Sequence, residues 1–151
     1  MTGDTHARAS LVTSAVVAVV LRPDIGHAIA GFFLSLVSSA IPDWVQVNIP
    51  FITWKGVEGH RAASHGLLAA FLTTMMVYPW AGYDLAIFWG VGYLSHLTLD
   101  VITGYGVYLF SPIPTLVGIP LSRNGDSLER WMNSLALPIC IAILAVGVIW
   151  G

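Results

Sequence analysis

The chain has 151 residues, of which 56% are hydrophobic and only 9% are charged, and its formal net charge is −2. Soluble domains carry about 25% charged residues, and a soluble fold of this size could not cover its surface with so few charges. The composition therefore predicts one integral-membrane domain, without the basic patch that nucleic-acid binding needs. Cys140 is the only cysteine, which excludes an internal disulfide and a cysteine-based metal site within one chain.

Long apolar runs, separated by breaks with proline and glycine, predict an all-α, polytopic membrane bundle of about five helices. The first helix is short for a span of about 20 residues, but no signal-peptide cleavage motif follows it, so we expect a retained membrane helix. Pro42 and Asp43 mark the end of the second helix, residues 81–84 form a tight turn, and Ser127 is the predicted cap of the last helix. The predicted helices cover residues 7–21, 27–41, 61–79, 85–102 and 131–150.

The basic residues predict the orientation of the chain in the membrane. If the helices alternate in direction, the N-terminus, the loop 45–59 and the connection 103–130 share one side. Only Arg22 lies on the other side, so the positive-inside rule places the N-terminus in the cytoplasm. The basic residues of the cytoplasmic side are Arg8, Lys55, Arg61, Arg123 and Arg130.

The segment 92–100 places His96 and Asp100 in one of the most apolar stretches of the chain. Residues at i and i+4 lie on one face of a helix, so the two side chains point the same way. Such a pair is costly at membrane depth unless it is paired, hydrated or bound to a metal. The pair therefore indicates a metal site, and a structural His–Asp hydrogen bond is the alternative.

Other side chains with metal-binding groups fall on the same side of the membrane as this pair. Each helix could have carried its polar residue at either end, so their gathering favours a metal site over solvated helix ends and caps. Imidazole nitrogens and carboxylate oxygens without thiolate suit Zn²⁺, with Mn²⁺ or Fe²⁺ as alternatives. The predicted metal ligands are His6, Asp43, His60, His65, His96 and Asp100.

Further residues on this side are candidates for catalysis or substrate binding. Asp43 or Asp100 could act as a general base where it is not a ligand. Arg61 could hold an anionic group of the substrate during the reaction, or it could be only a charge among the lipid headgroups. Arg123 and Glu129 could fold back over the site and bind substrate.

Six blocks occur in an order that resembles a known family. They are residues 5–6 (Thr-His), 41–43 (Ile-Pro-Asp), 59–65 (Gly-His-Arg-Ala-Ala-Ser-His), 92–100 (Gly-Tyr-Leu-Ser-His-Leu-Thr-Leu-Asp), 103–107 (Thr-Gly-Tyr-Gly-Val) followed by 111–112 (Ser-Pro), and the polar stretch 120–129. Together they resemble the YdjM-type membrane-bound metal-dependent hydrolases over nearly the whole chain. The third and fourth blocks are the specific ones.

The resemblance implies a bacterial-type inner-membrane protein with hydrolase activity, in which the six His and Asp residues named above form the metal site. The family is also distantly similar to zinc-dependent phospholipases C and single-strand nucleases, which are helical enzymes with three clustered zinc ions. Family members often carry Leu-Pro-Asp-x-Asp, whereas here Val45 stands at the second aspartate position. One carboxylate is therefore missing, and we expect one or two ions.

Two functions follow as hypotheses. The first is a hydrolase that uses metal-activated water to cleave a phosphoester of a membrane lipid at the cytoplasmic leaflet. The second is a non-enzymatic membrane protein, structural or involved in assembly, with a metal or a polar network at that face. Small residues such as Gly92 could support close helix packing, including packing in a homo-oligomer. A metal transporter is disfavoured because only Asp24 and His27 lie on the far side.

Overall fold

The computed structural model describes residues 1–45, 64–103, 106–113 and 115–150. These residues form four α-helices, and their only extended pairings are two isolated bridges, Thr103–Ser122 and Val107–Val117. The prediction of an all-α fold is confirmed. The helices are α1 (Gly3–Leu21), α2 (Ile25–Trp44), α3 (Leu67–Val101) and α4 (Ser127–Trp150).

The first two helices extend beyond their predicted bounds. α1 has 19 residues and is therefore about 28 Å long, close to the thickness of the hydrocarbon core of a bilayer. Asp24 caps α2 by accepting a hydrogen bond from the His27 N–H at 3.0 Å. The prediction that Pro42 ends this helix was wrong, because a proline in the last turn removes only one intrahelical hydrogen bond and the helix continues to Trp44.

The third and fourth predicted helices form one element, α3, which is broken at Gly82. This glycine has φ +81° and ψ 178°, in the region of positive φ that favours glycine, and the chain reverses there. The two halves lie side by side, since Gly90 faces Thr74 and since Ala70 packs against Tyr93. The observed break thus falls within the predicted turn, while the described residues form four helices rather than five.

α4 begins at Ser127, four residues before its predicted start, and its cap is Asp126 rather than Ser127. Asp126 Oδ1 accepts a hydrogen bond from the Glu129 N–H at 2.8 Å, and Oδ2 accepts one from the Arg123 N–H at 2.7 Å. These backbone hydrogen bonds hold the pKa of Asp126 below its usual value. The polar stretch before α4 therefore serves to start the helix.

Small residues let α2 and α3 approach closely. The backbone of Gly92 lies directly against Ser35 and Ser38, with no room for a Cβ atom, and Gly31 lies in the same way against the ring of Phe88. Phe88 is fully buried. The close packing expected at Gly92 is therefore found within the chain, and the homo-oligomer stays a prediction.

Among the described residues, α1, α2 and α4 are long and apolar enough to cross a membrane, by length and composition. Large apolar side chains cover their outer surfaces, such as Phe33 on α2 and Val148 and Ile149 on α4, which are 66%, 84% and 75% exposed. A water-soluble protein rarely exposes contiguous apolar surface of this kind, whereas lipid tails can cover it.

Candidate metal centre

Side chains from three helices meet at one end of the bundle. His6 comes from the first turn of α1 and Asp43 from the last turn of α2. His65 precedes α3 by two residues, and His96 and Asp100 lie in its last two turns. The structure therefore brings together five of the six residues predicted from the sequence as ligands.

Asp100 lies at the centre of this group and is 3% exposed. Its Oδ1 atom is 3.4 Å from His6 Nε2. Its Oδ2 atom is 3.4 Å from both His65 Nε2 and His96 Nε2. One carboxylate therefore faces three imidazole rings from two sides, an arrangement that suits a bridging ligand.

The other ring nitrogen of His96 determines its tautomer. His96 Nδ1 lies 2.7 Å from the carbonyl oxygen of Ser39 in α2. A carbonyl oxygen only accepts hydrogen bonds, so Nδ1 carries the proton. The neutral ring then presents the lone pair of Nε2 to Asp100, as a metal-binding histidine held by a backbone carbonyl does.

The same reasoning applies to His65. The Ser64 hydroxyl donates to the Pro42 carbonyl oxygen at 2.8 Å and lies 3.0 Å from His65 Nδ1, which places it to accept a hydrogen bond from that ring nitrogen. The Tyr93 hydroxyl in turn donates to the Ser64 carbonyl oxygen at 2.6 Å, which fixes this segment on α3. His65 therefore also presents the lone pair of Nε2 to the cluster.

These assignments leave several lone pairs facing one another. His65 Nε2 and His96 Nε2 are 3.2 Å apart, and Asp43 Oδ1 lies 3.4 Å from the first and 3.7 Å from the second. Two neutral imidazoles cannot hydrogen-bond to each other through two lone pairs. The arrangement needs positive charge between them, supplied by a metal ion or by added protons.

The spacing of these atoms fits a small tetrahedral ion. Zinc bonds of about 2.0–2.1 Å to nitrogen and oxygen place neighbouring ligand atoms about 3.3–3.4 Å apart. The two Nε2 atoms of His65 and His96 are 3.2 Å apart, and their distances to the carboxylate oxygens range from 3.4 to 3.7 Å. Two overlapping groups in the described residues could hold a metal: His6, His96 and Asp100, and Asp43, His65 and His96.

His96 belongs to both groups but can bind only one ion, since its Nδ1 is engaged with Ser39. Asp100, with one oxygen on each side, is the residue that can serve two ions. His6 stacks on His96 with ring centroids 3.9 Å apart, and its buried Nδ1 has no hydrogen-bond partner among the described residues. His6 is therefore available as a ligand of a second ion or as a proton-transfer group.

Among the described residues, the cluster is closed on most sides and open on one. His65 and His96 are fully buried, and His6 is 3% exposed. The Asp43 side chain is 51% exposed, so it forms the side through which water or a substrate can approach. A closed shell of nitrogens with one accessible carboxylate is compatible with metal-assisted chemistry at a membrane surface.

Comparison with known proteins agrees with this picture. The family of YdjM inner membrane proteins matches residues 1–151. The chain belongs to this family. A search of curated proteins finds no match, and a search of solved structures finds none. The protein is thus a YdjM-family inner membrane protein with a buried His/Asp cluster that could bind metal.

Two of the residues predicted as site residues in this YdjM-family chain, His60 and Arg61, lie outside the described residues. Arg123 is exposed in the segment before α4, and its backbone N–H is used in the Asp126 cap. Glu129 is 2% exposed, and both of its carboxylate oxygens accept hydrogen bonds within the protein. Substrate binding by Arg61, Arg123 and Glu129 stays a prediction.

Sequence reasoning did not identify the groups that orient the histidines in this YdjM-family protein. The Ser39 carbonyl oxygen leaves no signal in a sequence, because every residue has one. A serine shortly before a helix, as Ser64 is, is typical of a helix cap, although its position next to His65 is visible in the sequence. Its hydroxyl instead bridges His65 and Pro42.

Proposed function

We propose that this protein is a membrane-bound, metal-dependent hydrolase that cleaves a lipid phosphoester at the cytoplasmic face of the inner membrane. One observation carries the proposal. The Nε2 lone pairs of His65 and His96 converge with carboxylate oxygens at separations suited to a divalent ion. A set of nitrogen and oxygen donors favours Zn²⁺, with Mn²⁺ or Fe²⁺ as alternatives.

The residues have distinct roles in this proposal. His65 and His96, with oxygens of Asp43 and Asp100, would hold one ion, and His6 with the other oxygen of Asp100 would offer a second, less complete position. A bound divalent ion would lower the pKa of water and polarise a phosphoryl oxygen. Asp43, at the accessible side, is placed to accept a proton from an approaching water where it is not itself a ligand.

The position of the cluster supports a lipid substrate. Its residues lie at the ends of helices that are long enough to span the hydrocarbon core. Headgroup phosphates lie at that depth, whereas a soluble substrate would have no need of a membrane-spanning scaffold. The excess of basic residues on the predicted cytoplasmic side supports that orientation.

Turnover assays test this proposal. Purified protein in vesicles of mixed anionic and zwitterionic phospholipids, supplied with Zn²⁺ or Mn²⁺, should release headgroup or phosphate, and Asp43→Asn should lower the rate at least about 100-fold. Asp24→Asn, which removes a carboxylate at the other end of the same helix, is the matched control and should keep full activity. Absence of turnover on phospholipids and on generic phosphoesters, with metal bound, would overturn the proposal.

The buried state of the two central histidines favours a second candidate, a structural metal site that ties α1, α2 and α3 together. A structural site predicts bound metal without turnover. It also predicts that ligand substitutions reduce folding or assembly, whereas the hydrolase predicts that Asp43→Asn remains folded and loses turnover.

A further inference from the structure

Glu129 in the first turn of α4 is a buried carboxylate outside the His/Asp cluster. It is 2% exposed. Its Oε1 atom accepts hydrogen bonds from the Thr2 N–H at 2.6 Å, the Thr2 hydroxyl at 2.8 Å and the Thr5 hydroxyl at 2.6 Å. Its Oε2 atom accepts one from the Gly125 N–H at 2.5 Å. Four donors around two oxygens are the environment of an ionised carboxylate.

Three of these four hydrogen bonds come from the start of α1. Thr2 is the N-cap residue of that helix, yet its side chain makes no capping hydrogen bond within α1. The Glu129 carboxylate instead provides the negative charge that a helix N-terminus favours. The first turn of α1 therefore depends on a residue of α4.

This first turn also carries a member of the cluster. Thr5, which donates to Glu129, is followed directly by His6, whose Nε2 atom is 3.4 Å from Asp100 Oδ1. One turn further along, Arg8 holds α1 to α4 separately, because its guanidinium donates to the Asn133 carbonyl oxygen at 3.0 Å. Loss of the Glu129 contacts should thus loosen the first turn without separating the two helices.

We propose that Glu129 is a positioning residue that holds His6 in the cluster through Thr5 and Thr2. The inference rests on the proposed function only for the role of His6 as a metal ligand or proton-transfer group, since the contacts exist whether or not the protein is a hydrolase. It gives Glu129 a role inside the protein, as an alternative to the predicted binding of substrate.

Glu129→Gln tests the carboxylate with the smallest change in shape. A glutamine amide offers one acceptor oxygen and one NH₂ group, which only donates. If the amide oxygen faces Thr2 and Thr5, the NH₂ group faces the Gly125 N–H, which is also a donor. In the reverse orientation the NH₂ group faces the three donors of Thr2 and Thr5. Either orientation leaves at least one donor without its acceptor and removes the negative charge at the start of α1, which weakens the hydrogen bonds from Thr2 and Thr5. The first turn of α1 should therefore open more often.

The exposure of each histidine can be measured directly in the full-length protein. We suggest labelling with diethyl pyrocarbonate, which modifies accessible neutral imidazole, followed by peptide mass spectrometry on detergent-purified protein treated with a chelator. His27, whose side chain is 53% exposed, reports that the reagent is active. In the native protein, His6, His65 and His96 should all be protected because they are buried.

In Glu129→Gln we expect labelling of His6 to rise at least about 10-fold while His65 and His96 stay protected. Thr5→Val, which removes one donor and keeps the shape, should raise His6 labelling by a smaller factor. Thr13→Val is the matched control on α1, since the Thr13 hydroxyl bonds only to carbonyl groups of its own helix, and it should change nothing.

Two outcomes would overturn the inference. Unchanged protection of His6 in Glu129→Gln would show that the carboxylate does not position it. Equal exposure of His6, His65 and His96 would show that Glu129 supports the fold in general. Neither outcome depends on metal or turnover, so each is distinct from a failure of the hydrolase proposal.

A second readout connects the inference to metal binding. If Zn²⁺ binds, Glu129→Gln should weaken it about 10-fold, the lower end of the range for residues that orient ligands. The same substitution in a His6→Ala background should have little further effect, because the group it positions is already gone. An equal loss in both backgrounds would contradict a role through His6.

Discussion

At each end of α2 an aspartate meets histidine, but the surroundings of the two ends are very different. At the start of the helix, Asp24 and His27 are more than half exposed and contact each other within one turn. At its end, about 28 Å away, Asp43 approaches His65 and His96, which come from distant parts of the chain and are fully buried. The first pair caps a helix, and the second group belongs to the buried cluster that could bind metal.

The difference lies in what else the chain brings to each end. At the start of α2 the imidazole and the carboxylate satisfy each other and water can reach both. At the other end three buried imidazoles and two carboxylates share a space that is accessible to water only at Asp43, and the Nδ1 contacts direct the Nε2 lone pairs of His65 and His96 inward. Composition alone therefore does not distinguish a cap from a site, whereas burial and the engaged second nitrogen do.

Metal binding should produce the largest contrast between the two ends. At a free Zn²⁺ concentration 100 times the dissociation constant, binding should add about 2.7 kcal/mol to the free energy of unfolding, because the ion binds only the folded protein. Asp100→Asn should abolish this gain, and Asp24→Asn should keep it. Thermal unfolding in detergent, with and without Zn²⁺, measures the gain; an equal shift in both variants would place the ion elsewhere.

Packing beneath the cluster should show the next largest effect. Gly92 lies one turn before His96, and its backbone is pressed against Ser35 and Ser38. Gly92→Ala should cost about 1–3 kcal/mol, because a methyl group has to push α2 and α3 apart. Gly3→Ala, where nothing lies within 4 Å of the added methyl group, is the control. Unfolding of both variants in detergent compares them, and a neutral Gly92→Ala would refute the close contact.

The hydrogen bond that secures the His65 segment should have a smaller effect. Tyr93→Phe removes the buried donor to the Ser64 carbonyl oxygen and should lower the free energy of unfolding by about 0.5–1.5 kcal/mol. Tyr83→Phe is the control; Tyr83 is 64% exposed, and its substitution should leave the free energy of unfolding unchanged. Chemical unfolding of the two variants compares them, and equal stabilities would mean that Tyr93 does not fix this segment.

At the start of α2, loss of the Asp24 carboxylate should lower thermal stability only slightly, and by an amount that depends on pH. Hydrogen bonds, first from the His27 backbone N–H and then from its ring, hold the pKa of Asp24 below its ordinary value of 3.8. A carboxyl whose pKa is lowered on folding stabilises the protein above that value, and the gain is lost as pH falls through the folded pKa. Asp24→Asn should thus melt slightly lower than the native protein at pH 7 and equally at low pH. A deficit that grew on acidification would contradict this assignment.

The fold was predictable to the extent that local pattern determines it. Apolar runs identified the helices, and the turn at 81–84 was placed where Gly82 breaks α3. Alternating direction correctly predicted that His6, Asp43 and His96 share one end. It did not reveal that α1 lies against α4, because direction does not determine which helices are neighbours. The positioning role that we propose for Glu129 depends on that contact, so the sequence alone could not suggest it.

The site was predictable as a set of residues but not as an arrangement. The i, i+4 spacing placed His96 and Asp100 on one face, and their approach to within 3.4 Å agrees with it. The stacking of His6 on His96 and the carbonyl contact that selects the His96 tautomer are tertiary features. No spacing rule within one helix contains them.

Metal content per chain tests the central claim most directly. Mass spectrometry for metals on detergent-purified protein should find at least one divalent ion per chain in the native sequence and in His27→Gln, and much less in a folded Asp100→Asn variant. Absence of bound metal in the native protein, even after reconstitution with Zn²⁺ or Mn²⁺, would contradict the account. The buried histidines and aspartates would then be a network held together by protons.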